Sequence, residues 1–321
     1  MHTTTDRLWG IILAGGEGRR LQRFIRLHWG SKRPKQYCTL IGGQSMLRHT
    51  LARAERIIPP ERLLTIVTRR HLGYAREELY DRPPATVIIQ PCNRETGPGI
   101  LLPLLHIHQR DPDAIVALLP SDHFIVEEER FMAAVEGAAS FVTSSSRYLV
   151  LLGVEPDRPE TEYGWIEAGD GLEHHWGGDL YRVKSFWEKP HVKTAKALYR
   201  NGCLWNTLVL VGRAWMLMML FQTLTPELYV RLQRIRPVLG GRGEAEALKD
   251  IYRWLPSVNF SRAILARSAH CLGVLRVKGV YWSDWGNPEQ VRMDVARFAP
   301  GSDHETSLSG NGLSLSAGRR P

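Results

Sequence analysis

Five short, nearly uninterrupted apolar runs, separated by stretches of helical spacing, constrain this chain more than any other feature. The runs are Leu8–Leu13, Leu63–Thr68, Thr86–Gln90, Ala114–Leu119 and Tyr148–Val154. Between them, Ser45–Arg56, His71–Tyr80, Gly97–Arg110 and Glu127–Val142 carry the periodicity of helices. Ser45 is placed to cap the first of these, and Pro103 predicts a kink in the third. Strands that are apolar at every position must be covered on both faces, which helices between parallel strands achieve. The expected fold is therefore α/β, with a mixed, mainly parallel sheet flanked by helices. Ligands of such sheets sit beyond the carboxyl ends of the strands, so Gly15, Gln90 and Asp122, which follow three of the runs, draw attention first.

From Glu160 the alternation is less regular. Strands are expected at Tyr163–Glu167, Leu180–Trp187, Leu204–Val211 and Leu272–Tyr281, and helices at Lys193–Tyr199, Ala214–Leu224, Pro226–Arg234, Gly243–Trp254 and Pro288–Phe298. No internal repeat or long linker divides the chain, so residues 1–300 are read as one unit and the small, polar stretch 301–321 as a disordered tail.

The opening stretch Leu8–Lys35 combines the first strand with Gly15, Gly16 and Gly18 and a band of cations: Arg19, Arg20, Arg23, Arg26, Lys32, Arg33 and Lys35. Side-chain-free backbone lets an anion approach peptide N–H groups, and the cations supply charge, so this stretch predicts a phosphate site. The net charge of +9 admits nucleic acid or an anionic small molecule. Cations elsewhere alternate with acids, as in Val126–Arg130, and few aromatics interleave the basic stretch, which favours the small anion.

Cys38, Cys92, Cys203 and Cys271 have neither CxxC nor zinc-finger spacing. Together with an N-terminus that lacks an apolar leader, they predict reduced, buried thiols in a cytoplasmic protein. The longest apolar run, Leu208–Phe221, contains Arg213 and is too short for a membrane span. Neither a membrane nor a nucleic acid is expected as a partner; a homodimer is left open.

Further constellations fall where strands end. Lys35 stands in Pro34-Lys35-Gln36 without any GxxxxGK[ST] loop. Gln90-Pro91-Cys92-Asn93-Arg94-Glu95-Thr96-Gly97 runs from a strand into a helix start that could hold a base or phosphate, or is simply a capped helix. Asp122, in Pro120-Ser121-Asp122-His123, and Asp284, in Trp282-Ser283-Asp284-Trp285-Gly286, are candidate ligands for one Mg²⁺, although either aspartate alone is an ordinary turn residue. Glu188 and Lys189, in Phe186-Trp187-Glu188-Lys189-Pro190, suit a sugar phosphate or form a solvated ion pair. Asn206, in Trp205-Asn206-Thr207, suits hydroxyls or a backbone partner. His106, His108, His174 and His175 are read as structural or solvated, and Trp215–Met219 as core packing.

Taken in order, these motifs resemble the sugar-phosphate nucleotidyltransferases, and within them the mannose-1-phosphate guanylyltransferase (GDP-mannose pyrophosphorylase) branch. LAGGEGRRL is similar to that family's LAGGxGTRL, RPKQY to PKQF, QPCNRETGPGI to QPxNRGTAPAI, PSDHFI to PSDHxI, EYGWIE to ETGYGYIE, FWEKP to FxEKP, WNT to WNSG and YWSDWG to WxDxG. The resemblance spans about Leu8 to Phe298. It implies the Rossmann-like nucleotide-diphospho-sugar transferase fold, a nucleotide part at about 8–155 and a sugar part at about 156–300. It also implies GTP and mannose 1-phosphate as substrates, Mg²⁺ as cofactor, and GDP-mannose and pyrophosphate as products.

By this resemblance Leu13, Ala14, Gly15, Gly16, Gly18, Gln90, Asn93 and Arg94 hold the nucleotide. Arg20 and Lys35 act on its phosphates, and Asp122 and Asp284 bind the metal. Gly164, Glu188 and Asn206 hold the sugar, and Lys189 its phosphate. The chain departs from the pattern at Arg19 (Thr in the family), Gln22-Arg23 (Trp-Pro), Glu95 (Gly), Leu208 (Gly) and Asn259 (Asp). No isomerase domain of the kind that follows in longer bifunctional relatives is expected. Rival readings are a transferase for another nucleotide or sugar, and a weakly catalytic nucleotide-sugar-binding regulator.

Overall fold

The apolar runs are buried on both faces because successive residues of one strand enter different cores. A computed structural model describes residues 7–30, 32–172 and 179–299. His174, His175 and the 301–321 tail lie outside the described residues. The strands are β1 (Leu8–Leu13), β2 (Leu63–Thr68), β3 (Val87–Gln90), β4 (Ile115–Pro120), β5 (Phe124–Ile125), β6 (Leu149–Val154), β7 (Gly164–Gly171), β8 (Leu180–Glu188), β9 (Leu204–Arg213), β10 (Leu272–Val277) and β11 (Trp282–Ser283). Along β4, Val116 and Leu118 join one core while Ile115, Ala117 and Leu119 join the other. A polar residue at any of these positions would be desolvated without a partner.

Helices cover both faces. The first core is roofed by α4 (Thr96–Arg110), α7 (Ala214–Leu224), α8 (Pro226–Gln233) and α9 (Glu244–Arg253). The second is roofed by α2 (Met46–Ala54), α3 (Leu72–Glu78), α5 (Glu128–Ser144) and α6 (Val192–Arg200). A third, smaller cluster joins α1 (Gln22–Trp29) and α11 (Pro288–Phe298) around Trp285. The short α10 (Phe260–Ala263) is a single turn capped by Asn259, which accepts from Arg262 N–H.

The nine-stranded sheet has the order β3-β2-β1-β4-β9-β6-β10-β8-β7. It is parallel from β3 to β4 and again between β6 and β10. The expected mixed sheet is present, but β9 enters antiparallel between β4 and β6. β7 also pairs with β9, so β9, β6, β10, β8 and β7 close into a circuit. β5 and β11 form a separate antiparallel ribbon beside the strand ends.

Three sequence expectations change. Leu272–Tyr281 is not one strand: β10 stops at Val277 and Gly279, at φ 64°, turns the chain toward β11. The four thiols are not all buried, because Cys92 is exposed while Cys38, Cys203 and Cys271 are buried. Within the cation band α1 occupies Gln22–Trp29, with Phe24 and Ile25 buried and Arg23 and Arg26 exposed. The Trp215–Met219 run is only partly core, since Trp215 and Met219 face outward. α4 runs through Pro103 to Arg110. Among the described residues no helix is long and apolar enough to cross a membrane.

Candidate active site

The turn after β1 is tied down through its carbonyls. Gln36 Nε2 donates to Ala14 O (2.9 Å) and Gly16 O (2.8 Å), Tyr37 Oη to Ala14 O (3.1 Å), and Thr68 Oγ1 to Gly15 O (2.9 Å). Leu13 O accepts from Ser121 Oγ at 2.7 Å, which joins the turn to the end of β4. Glycine is required at two places for different reasons. A Cβ on Gly15 would collide with Gln90 Nε2, whereas Gly18 has φ 60°, and a methyl group there would stand only 3.0 Å from Lys35 N. Gly16 is open on its free side.

Lys35 sits in a short 3₁₀ turn, Lys35–Tyr37, and is 4% exposed although it is a lysine. Its ammonium is satisfied by Asp122 Oδ2 (3.1 Å), by the carbonyl of Asp284 and by the carbonyl of Trp285 (3.3 Å). Asp284 Oδ2 accepts from Arg20 Nη2 at 2.9 Å, and its Oδ1 accepts from Gly286 N–H at 2.7 Å. Two aspartates from distant parts of the chain thus meet at one ammonium, and each carboxylate is paired with a cation. Burial pushes the Asp122 carboxyl up, but Lys35, His123 and Arg20 outweigh it and hold it below the usual aspartate value. Burial lowers Arg20, yet Asp284 and Glu162 hold it above the ordinary value.

On the far side, Glu188, Asn206 and Gly164 share a wall. A Cβ on Gly164 would approach Glu188 Oε2 and Asn206 Cβ to 3.2 Å each, so glycine leaves that wall open. Asn206 Oδ1 accepts from Leu208 N–H at 3.1 Å. Burial holds the Glu188 carboxyl above the usual glutamate value, against Lys189 and Arg262. Lys189 reaches Glu162 at 3.2 Å, and Glu162 in turn lies 3.6 Å from Arg20.

These residues line two adjoining cavities, of about 590 and 300 Å³. Arg20, Asp122 and Lys189 belong to both; Lys35, Gly18, Asn93 and Glu95 line the larger, and Leu13, Gly16, Gly164, Glu188, Asn206 and Asp284 the smaller. A third cavity, about 750 Å³, lies behind His123, Phe124 and Trp285. It is larger, yet it contains none of Arg20, Lys35, Asp122 or Asp284, so the chemistry places the site in the other two.

A nucleotidyl transferase family model matches residues 9–294. This chain belongs to the nucleotidyl transferase family. It is similar to mannose-1-phosphate guanylyltransferase ManC of Salmonella typhimurium, 29% identical over 304 residues that cover 93% of this chain and 62% of that protein. It is also similar to xanthan biosynthesis protein XanB of Xanthomonas campestris, 30% identical over 283 residues, 86% of this chain and 57% of that protein. It therefore spans less than two thirds of these curated relatives. Among solved structures it is similar to one described as mannose-1-phosphate geranyltransferase from Thermus thermophilus, with TM-score 0.73 and 27% identity over 89% of this chain and 79% of that one.

In this nucleotidyl transferase four of the sequence-selected nucleotide residues line neither cavity: Ala14 and Gly15, buried in the turn itself, and Gln90 and Arg94. The Arg94 side chain lines neither cavity; it donates to Tyr252 O (3.2 Å), one of the last carbonyls of α9, where a cation meets unpaired C=O groups. Gln90 is 2% exposed and lies beneath Gly15, with Nε2 on Thr68 Oγ1 (3.3 Å) and Oε1 accepting from Tyr252 Oη (3.3 Å). Asn93 does line the larger cavity, where its Oδ1 accepts from Glu95 N–H. Two of the surplus cations are engaged by acids: Arg19 pairs with Glu17 at 2.6 Å, and Arg33 with Glu77 at 3.2 Å.

Sequence reasoning missed Glu162, Gln36, Thr68 and Tyr163. Gln36 was legible only as a member of Pro34-Lys35-Gln36, and no spacing rule marks Glu162 or Thr68 as neighbours of the Gly turn. Two departures carry backbone strain. Glu95 (φ 70°, ψ −175°) and Leu208 (φ 56°) occupy positive-φ conformations that favour glycine, the residue the similar motifs carry there. Asp122 and Asp284 offer hard oxygen donors in one cavity, which suits a divalent cation completed by phosphate oxygens and water.

Proposed function

We propose that the chain transfers a guanylyl group from GTP to mannose 1-phosphate, forming GDP-mannose and pyrophosphate with Mg²⁺. The observation that carries this reading is the convergence of Arg20, Lys35, Asp122 and Asp284 beside the Glu188–Lys189–Asn206 wall, at the carboxyl ends of β1 and β4. The name of the ManC relative and the resemblance of the motifs favour guanine and mannose over other pairs.

In this reading residues 8–155 supply the nucleotide side and residues 156–300 the sugar side. A phosphate oxygen of mannose 1-phosphate attacks the α-phosphorus of GTP, the bond to the bridging oxygen of the β-phosphate breaks, and pyrophosphate leaves with that electron pair. The attacking oxygen is already anionic, so the site needs no general base; positioning and charge compensation suffice. Arg20 and Lys35 face the triphosphate, Lys189 the sugar phosphate, and Glu188 with Asn206 the sugar hydroxyls. Asp122 and Asp284 would hold Mg²⁺, which supplies charge neutralisation on the phosphates.

The test is pyrophosphate release across a matrix of nucleoside triphosphates and sugar 1-phosphates, with and without Mg²⁺. GTP with mannose 1-phosphate is expected to exceed every other pair at least tenfold, and only with the cation. Turnover confined to UTP or ATP overturns the guanylyl assignment.

A further inference from the structure

Behind Lys35 lies a buried polar cluster whose members Asp294, Tyr281 and Gln290 line neither cavity of the site. Asp294, on α11, is 2% exposed and accepts three hydrogen bonds: from Trp285 Nε1 (2.7 Å), Tyr281 Oη (2.5 Å) and Gln290 Nε2 (2.8 Å). Gln290 Nε2 also donates to Tyr281 Oη at 3.0 Å. A buried carboxylate with three donors is fully satisfied, and such a cluster favours one arrangement of its members.

Trp285 is the member that reaches the site. It is fully buried, stacks on Phe124 with ring centroids 4.5 Å apart, and has φ 45°, a left-handed conformation rare for a bulky residue. Its N–H donates to Ser283 Oγ at 3.1 Å. In that conformation the carbonyls of both Asp284 and Trp285 accept from Lys35 Nζ, while the Asp284 carboxylate is left to Arg20 and Gly286. The indole, gripped at Nε1 and stacked on Phe124, helps hold this left-handed conformation, together with the backbone N–H bonds of Trp285 to Ser283 Oγ and of Gly286 to Asp284 Oδ1.

We propose that Asp294 is a positioning residue that acts through the Trp285 indole to fix the Lys35 ammonium and the Asp284 carboxylate relative to each other. Only the turnover arm of its test rests on the transfer reading. Asp294→Asn keeps the volume but replaces one acceptor with a donor, so three donors cannot all be met. Trp285→Phe removes the Nε1–H and keeps an aromatic ring for the Phe124 stack.

The experiment measures acetylation of individual lysines by mass spectrometry, with exposed Lys249 as the internal standard, alongside steady-state kinetics. In both variants Lys35 is expected to acetylate at least tenfold faster relative to Lys249 than in the wild type. Turnover number is expected to fall at least tenfold with KM for GTP changed less than threefold, and the double variant to be no slower than the worse single one. Lys35 labelling at the wild-type rate in both folded variants overturns the proposal, as do losses that multiply in the double variant. A wild-type chain without turnover would refute the transfer reading, and the labelling result would still decide the role of Asp294.

Discussion

A methyl group on residue 15 would collide with Gln90 Nε2 and stand 3.3 Å from Thr68 Oγ1. Gly15→Ala is therefore expected to push the turn off its floor and weaken GTP binding at least tenfold by calorimetry, with little change in the buried sheet. Lys35→Met leaves Asp122 and two carbonyls without their cation and removes a positive charge from the proposed phosphate site. Turnover should fall by about 10²–10³, the range for losing one fixed electrostatic contact. Glu188 carries the pH prediction. Burial raises its folded-state value, so it accepts a proton at a pH where an ordinary glutamate, near about 4.3, is still ionised. Binding of the sugar phosphate should weaken as pH falls through that raised value, and Glu188→Gln should bind more weakly with no acid limb. Because the folded chain holds this proton more tightly than the unfolded one, Glu188 itself makes folding less stable as pH rises through the same window.

At the scale of elements, α1 separates what the cation band does from what its composition suggested. Its spacing buries Phe24 and Ile25 and turns Arg23 and Arg26 outward, away from the cavities that Arg20 and Lys35 line. Arg23→Ser with Arg26→Ser should change GTP affinity less than twofold, whereas Arg20→Ser should change it at least tenfold. The start of α4 carries strain that sequence alone did not reveal. Glu95 holds a conformation that is nearly glycine-only, which costs on the order of 1–3 kcal/mol. Glu95→Gly is expected to stabilise the chain by about 1 kcal/mol in urea unfolding, once the greater freedom of glycine in the unfolded state is set against it. The sequence marked position 95 as unusual only by resemblance; the physical reason is a torsion angle. β1, β2 and α7 were legible to their ends because uninterrupted apolar residues bounded by turn formers leave few alternatives. α1 was not, because its charges masked a short apolar stripe.

Across the whole molecule, local pattern sufficed for the fold class and failed for the order of strands. β9 looks like any other apolar strand, and nothing in Leu204–Arg213 announces that it inserts antiparallel between β4 and β6 and also pairs with β7. Such pairings are set by contacts between segments far apart in sequence, which periodicity does not encode. The same distance explains the site. Asp122 and Asp284 could be suspected as a pair from their positions after strands, but Glu162 meets Arg20 and Lys189 only because the closed circuit brings β7 to the mouth of the cavity. We propose that these groups from both parts of the chain form one centre for nucleotidyl transfer. It is tested most directly by pyrophosphate release from GTP and mannose 1-phosphate in the wild type, Asp122→Asn and Asp284→Asn. Rapid Mg²⁺-dependent release by the wild type, lost at least a hundredfold in each variant with thermal unfolding intact, is the predicted result. Wild-type release in either folded variant would contradict it.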